Sequence, residues 1–208
     1  MSVNSVVMPS YWGREVRHKH ITRGSKVLAV IFPGKNYSAE RPLLEYAAKV
    51  AAEYNCDTLQ LEYGYQSARV EMKREDIGII VEECTNAITS VPKYEKILFI
   101  SKSIGTVIAG KTAATLKASQ QIEHLYLTPI PDALPLIEQS RGSVIYGSAD
   151  PLFSEPHSRE LAGLRNIKVY RIDDANHSLE VGDVKESLAI LIVIINMYHE
   201  FFQRCLKQ

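Results

Sequence analysis

Two short stretches constrain the fold of this chain more than anything else in it. Lys26–Phe32 (KVLAVIF) and Lys96–Ile100 (KILFI) are nearly continuous apolar runs, each cut off by small or turn-forming residues and followed by a helical pattern. A strand that is apolar along its whole length cannot turn one face to water, so both faces of its sheet must be covered. The alternation recurs along the chain. Leu43, Leu44, Ala47, Val50 and Ala51 fall at helical spacing and predict a helix over Ala39–Tyr54. Thr58–Leu61 reads as a short strand, Asp76–Ile88 as a helix, and Ile104–Lys117 as a helix of small residues. His124–Leu127, Ser143–Tyr146 and Lys168–Ile172 are further strand candidates, with helices near 155–164 and 182–206. Arg14–Thr22 alternates as an antiparallel edge pair would. Strands alternating with helices imply an α/β fold, with a mostly parallel central sheet and helices on both faces.

Size and charge narrow the function. At 208 residues the chain suits a single domain spanning 1–208. Lys plus Arg and Asp plus Glu both number 24, so no overall field attracts nucleic acid or anionic lipid, and neither is expected as a partner. The first ten residues lack the basic start and apolar run of a secretory signal. Leu188–Ile195, the longest apolar run, falls far short of the roughly 20 residues of a bilayer span and reads as the buried face of the last helix. That helix is expected in the core, with a dimer face as the alternative, so a monomer or homodimer is expected. Three cysteines without paired spacing (Cys56, Cys84, Cys205) suit a reducing, cytoplasmic compartment.

In open parallel sheets ligands bind beyond the carboxyl ends of the strands, so the residues after each strand carry the most information. After KILFI comes Ser101-Lys102-Ser103-Ile104-Gly105, then a helix. A serine flanked at two residues on either side by small ones, between strand and helix, fits a tight turn that lifts its hydroxyl clear of the sheet. Helix capping would explain the same residues more simply. After Ser143–Tyr146 comes Gly147-Ser148-Ala149-Asp150-Pro151, and after Lys168–Ile172 comes Asp173-Asp174-Ala175-Asn176-His177. Ser, Asp and His from three separate strand ends are what nucleophilic catalysis requires: a hydroxyl, a base to take its proton and a carboxylate to orient the base. Asp173 and Asp174 are rival acids, but they are so close to His177 in sequence that they more easily shape its turn. After the first apolar run, Pro33-Gly34-Lys35-Asn36 offers an amide that would pair with that of Ile104 to hold an oxyanion. His18 and His20 alternate on one strand without a nearby acidic or cysteine partner, so no metal is expected. Lys102 reads as a solvent-facing charge, and Tyr63, Tyr65 and Arg69 as residues on the site's rim.

At these places the sequence resembles the α/β-hydrolase superfamily, especially its small dienelactone-hydrolase-like members, over about residues 26 to 205. Ser101–Gly105 is similar to the nucleophile elbow, Gly147–Pro151 to the acid turn and Ala175–Ser178 to the histidine loop. The resemblance implies a single-domain α/β-hydrolase fold and a serine hydrolase acting on a small-molecule ester, thioester or lactone. Ser103 would be its nucleophile, Asp150 its acid and His177 its base, with no cofactor. Lys35 and Ile104 would supply the oxyanion-hole amides, with Asn36 as an alternative to Lys35 because the loop departs from the usual His-Gly start. Ser101 replaces the usual first glycine. Only Thr128 to Arg141 separates two strands where many relatives insert a lid, so an open site is expected. The same scaffold also hosts C–C hydrolases and lyases, and non-catalytic binding proteins.

Overall fold

The computed structural model describes residues 1–116 and 121–207. In chain order the elements are strands β1 (Ser2–Pro9), β2 (Glu15–Thr22) and β3 (Val27–Phe32), helix α1 (Pro42–Glu53), β4 (Asp57–Gln60), α2 (Gly64–Ala68), α3 (Ile77–Ser90) and β5 (Lys96–Lys102). Then follow α4 (Ile104–Thr115), β6 (Gln121–Leu127), α5 (Leu134–Glu138), β7 (Gly142–Gly147), α6 (Glu155–Ala162), β8 (Ile167–Ile172) and α7 (Val184–Leu206). Lys117, the expected end of the fourth helix, lies outside the described residues.

All eight strands form one sheet in the order β1-β2-β4-β3-β5-β6-β7-β8. β2 pairs antiparallel with both its neighbours, and every pairing from β4 to β8 is parallel. The two apolar runs sit side by side at the centre as β3 and β5, which explains why neither shows a polar face. Side chains alternate across a strand. Ala29, Ile31, Leu98 and Ile100 therefore pack under α1 and α7, with Leu44, Ala47, Tyr198, Phe201 and Phe202. Leu28, Val30, Phe32, Ile97 and Phe99 pack on the other face, with Ile80, Cys84 and Ala87 of α3 and Ile108 and Ala109 of α4.

Two expectations are corrected. Arg14–Thr22 is not a pair but one strand, β2, whose hairpin partner is Ser2–Pro9. β1 lies at the sheet edge with most residues exposed, so no buried face imprinted a pattern on its sequence. Of the run Leu188–Ile195 only Ile194 is buried, and Leu188, Ile192 and Val193 are 56%, 62% and 47% exposed. A helix laid on a sheet buries one stripe, here Ile194, Tyr198, Phe201, Phe202 and Cys205, whereas an unbroken run must wrap all sides. α7 is long and apolar enough by composition to cross a membrane, but its C-terminal half is built into the core, and Tyr198 donates its hydroxyl to Leu43 O at 3.1 Å.

His18 and His20 face the same way and are both buried. His18 Nδ1 accepts from the Glu62 amide at 3.2 Å and His20 Nε2 bonds the Tyr94 hydroxyl at 2.9 Å. Among the described residues no group of three or more His, Cys, Asp or Glu side chains is placed to hold a metal. Burial pushes the pKa of His18 down to about 4, against a smaller raising pull from Glu62, and burial alone pushes that of His124 down to about 3. Both stay neutral in the fold but take up a proton in the unfolded chain below about pH 6.5. Their contribution to stability is complete above that pH and is lost as pH falls toward about 4. Urea unfolding at pH 7 and pH 5 is expected to show stability lower at pH 5 by about 2 kcal/mol for each of these histidines, the loss reaching a slope of about 1.4 kcal/mol per pH unit only below the unfolded pKa. His124→Leu should remove one such share of the slope.

Candidate active site

The turn from β5 into α4 is as sharp as its small residues suggest. Ser103 has φ +54° and ψ −123°, a conformation that costs a non-glycine residue about 1–3 kcal/mol. The turn is held by Ser103 N donating to Leu127 O at 3.0 Å and Thr106 N to Ser103 O at 2.9 Å. Gly105 is required by sterics: a Cβ there would lie 2.3 Å from Pro33 O and 2.8 Å from Phe32 O. α4 thereby packs directly against the end of β3. Ser101 is fully buried and its hydroxyl has no partner among the described residues.

Asp150 and His177 reach this serine from the ends of β7 and β8, along the same edge of the sheet. Asp150 follows β7, and its buried carboxylate accepts from Leu152 N at 2.9 Å through Oδ1. Its Oδ2 is 2.7 Å from His177 Nδ1, and His177 Nε2 is 2.9 Å from Ser103 Oγ. An ionised carboxylate only accepts, so Nδ1 carries the ring proton and Nε2 is left to accept from the serine hydroxyl. The acid turn and the histidine loop are pressed together: a Cβ on Gly147 would stand 2.0 Å from Ala175 O. Ala149 N also donates to Ala175 O at 3.0 Å. Asp173 is exposed and paired with Arg171 at 3.0 Å, and Asp174 sits in the turn at φ +57°, its amide donating to Ser148 Oγ. Of the three candidate acids, the histidine bonds Asp150.

The loop after β3 is gripped by its carbonyls. Tyr63 donates its hydroxyl to Pro33 O, Gln66 Nε2 donates to Gly34 O, and Tyr65 OH and Gln66 Nε2 both donate to Lys35 O, all within 2.9–3.0 Å. Because trans peptides point N–H opposite to C=O, the amides of Lys35 and Asn36 face away from α2. Among the described residues the amides of Lys35, Asn36 and Ile104 donate no hydrogen bond. A Cβ on Gly34 would lie 3.6 Å from Ser103 Cβ, which places this loop against the serine. Tyr63 and Tyr65 are therefore not rim residues: they are 1% and 3% exposed and act from beneath. Gln66 escaped sequence reading, because nothing in a lone glutamine after a strand signals which carbonyls it will meet.

Lys102 is also corrected. It is the last residue of a central strand, not a surface charge, and is 2% exposed. Its Nζ donates to Thr128 Oγ1 and to His177 O, both at 3.1 Å, and lies 4.7 Å from the centre of the Tyr37 ring. Arg69, by contrast, is exposed, at φ +57° just past α2. Two depressions share Tyr37. One, of about 740 Å³, is lined by Lys35, Asn36 and the cations Arg17, Lys19, Arg41 and Arg69. The other, about 280 Å³, runs beside the histidine loop and is lined by Leu43, Leu179, Val181, Leu188 and Leu191.

No protein-family model and no curated protein matches the sequence. Solved structures do match. A dienelactone hydrolase from Anabaena variabilis superposes with a TM-score of 0.73 at 19% identity, covering 98% of this chain and 97% of that one. An α/β serine hydrolase without a lid from Xanthomonas campestris gives 0.70 at 13% identity, covering 100% and 97%. An esterase from Pyrococcus furiosus gives 0.72 at 13%, covering 98% and 92%. The chain has the α/β-hydrolase fold. Within this α/β-hydrolase fold the 128–141 segment, where a lid would be inserted, holds a single turn at Pro131–Ala133 and α5. Leu134 and Ile137 of α5 pack into the core beside α4, and the His177 side chain stays 23% exposed.

Ser101→Ala, which deletes a buried hydroxyl without a partner and keeps a Cβ, is expected to be neutral or to stabilise the protein by up to about 1 kcal/mol. Urea unfolding at neutral pH measures it.

Proposed function

We propose that this protein is a serine hydrolase that cleaves a carboxylic ester, or a related thioester or lactone, of a small molecule through an acyl-enzyme on Ser103. One observation carries the reading: the unbroken hydrogen-bonded line from Ser103 Oγ through the imidazole of His177 to the buried carboxylate of Asp150, at 2.9 and 2.7 Å. A serine hydroxyl is a weak nucleophile until a base takes its proton. His177 takes it as Oγ attacks the carbonyl carbon, and Asp150 stabilises the imidazolium that forms. The amides of Ile104 and Lys35 receive the negative charge on the carbonyl oxygen, each worth about 3 kcal/mol in the transition state. Collapse expels the leaving group, which takes its proton from His177. Water, activated by the same imidazole, then releases the acyl group. These steps require neither metal nor cofactor.

The apolar groove beside the histidine loop suits the acyl portion of the substrate, and the short 128–141 segment, with no lid among the described residues, suits a site open to small solutes. Three free, buried thiols at Cys56, Cys84 and Cys205 favour a reducing compartment, and we place the protein in the cytoplasm.

Labelling with a fluorophosphonate probe tests the reading most directly. The folded protein should label and Ser103→Ala should not; a folded wild-type protein that fails to label would sink the proposal. With p-nitrophenyl esters of increasing acyl length, rates should rise beyond acetate as the chain fills the groove. Asp150→Asn, which leaves the histidine in the wrong tautomer, should lower kcat by about 10⁴-fold. Gln66→Ala frees the carbonyl of Gly34 from its side-chain donor, leaves that of Lys35 to Tyr65 alone, and should lower kcat by about tenfold with little change in KM, since the misplaced amide acts only on the transition state.

A further inference from the structure

Lys102 stands one residue before Ser103 and takes no part in the chemistry set out above. The alternation of β5 sends Leu98, Ile100 and Lys102 to the same face of the sheet, the one closed by α1 and α7. An ammonium group on that face is withdrawn from water and must be compensated. Its compensation comes from three separate segments. Thr128, directly after β6, presents its hydroxyl from a backbone at φ +42°, a region a β-branched residue rarely occupies. The loop after β3 lays the Tyr37 ring against the cation. The histidine loop supplies the main-chain carbonyl of His177 itself. That carbonyl belongs to the residue whose ring bridges Ser103 and Asp150, so holding it fixes the backbone from which the imidazole hangs.

We propose that Lys102 is a positioning residue: its buried ammonium ties the main chain of His177 to the nucleophile elbow and thereby sets the alignment of the imidazole with Ser103. This inference rests on the serine-hydrolase reading. The groups acting on the ammonium are Tyr37 and Thr128, His177 and Glu180 on the histidine loop, and Asp150 after β7. Burial pushes its pKa down to about 8, against the raising pulls of Asp150 and Glu180. As pH rises through that value the group loses its charge, and two charge-assisted hydrogen bonds become ordinary amine contacts. Alignment of the histidine loosens, so the reactivity of Ser103 declines.

The experiment is the rate of fluorophosphonate labelling against pH for wild type, Lys102→Met and Lys102→Gln, with circular dichroism confirming the fold at each pH. Wild-type labelling should fall as pH passes about 8. Lys102→Met, similar in size but without a donor, should label about tenfold more slowly at neutral pH and lack the alkaline fall. Lys102→Gln keeps an N–H donor without the charge and should recover part of the rate, again with no fall. Labelling of Lys102→Met at the wild-type rate, or a wild-type rate unchanged through the alkaline range, overturns the proposal. If Lys102→Met does not fold, the glutamine variant and the wild-type profile decide in the same way. A wild type that does not label at all refutes the hydrolase reading instead. Lys102 is then judged by proton NMR of the Nδ1–H held by Asp150. Loss of that low-field signal to solvent exchange in a folded Lys102 variant supports the positioning role, and an unchanged signal refutes it.

Discussion

Parallel pairing from β4 to β8 brings the carboxyl end of every one of those strands to a single edge of the sheet, and the candidate site depends on it. Neighbouring strands are about 4.8 Å apart, so β5 and β8, three places apart in the order, are separated by about 14 Å. A side chain alone does not span that distance. The loop after β8 must double back across the ends of β7 and β6 to bring His177 to Ser103. Contacts with the turn after β7 hold it there, Ala175 packing on Gly147 and accepting from Ala149 N and the Asp174 amide donating to Ser148 Oγ, together with the grip of Lys102 on the His177 carbonyl. Strand order decides which side chains can meet, and these loop contacts decide that they do.

The site is a polar network set into an apolar sheet edge. Asp150 and Lys102 are both buried, and a buried charge is tolerated only where hydrogen bonds and opposite charges replace its water. Asp150 has Leu152 N and His177; Lys102 has Thr128, His177 O and the face of Tyr37. His177 is common to both, bonded through its ring to the carboxylate and through its main chain to the ammonium. Around the loop after β3 the same economy appears, with Tyr63, Tyr65 and Gln66 satisfying the carbonyls of Pro33, Gly34 and Lys35 while the amides of Lys35 and Asn36 are left free among the described residues. A network with every member satisfied is rigid, and rigidity is what a preorganised site requires.

Reading the chain residue by residue succeeded where burial leaves a periodic mark. β3 and β5 announced themselves because both their faces are covered, and the Ser-x-Ser-x-Gly turn because Gly105 meets the carbonyls of Phe32 and Pro33. Reading failed where the partner lies far off in sequence. β1 carries no pattern because it faces solvent, and the apolar run of α7 gave no hint of which side is left bare. Lys102 and Gln66 are polar residues whose surroundings are assembled from other strands, so their own neighbours in the chain mark them as surface.

The sequence by itself determined the α/β alternation, the two central strands, and the three strand ends that carry Ser103, Asp150 and His177, because these follow from local periodicity and turn chemistry. Only the tertiary structure decided which aspartate the histidine bonds, which way the amides after β3 point, and that a lysine lies buried beneath the elbow. Those outcomes depend on contacts between segments tens of residues apart, and a hydrogen bond is set by where its two ends are brought, not by the chain on either side of each.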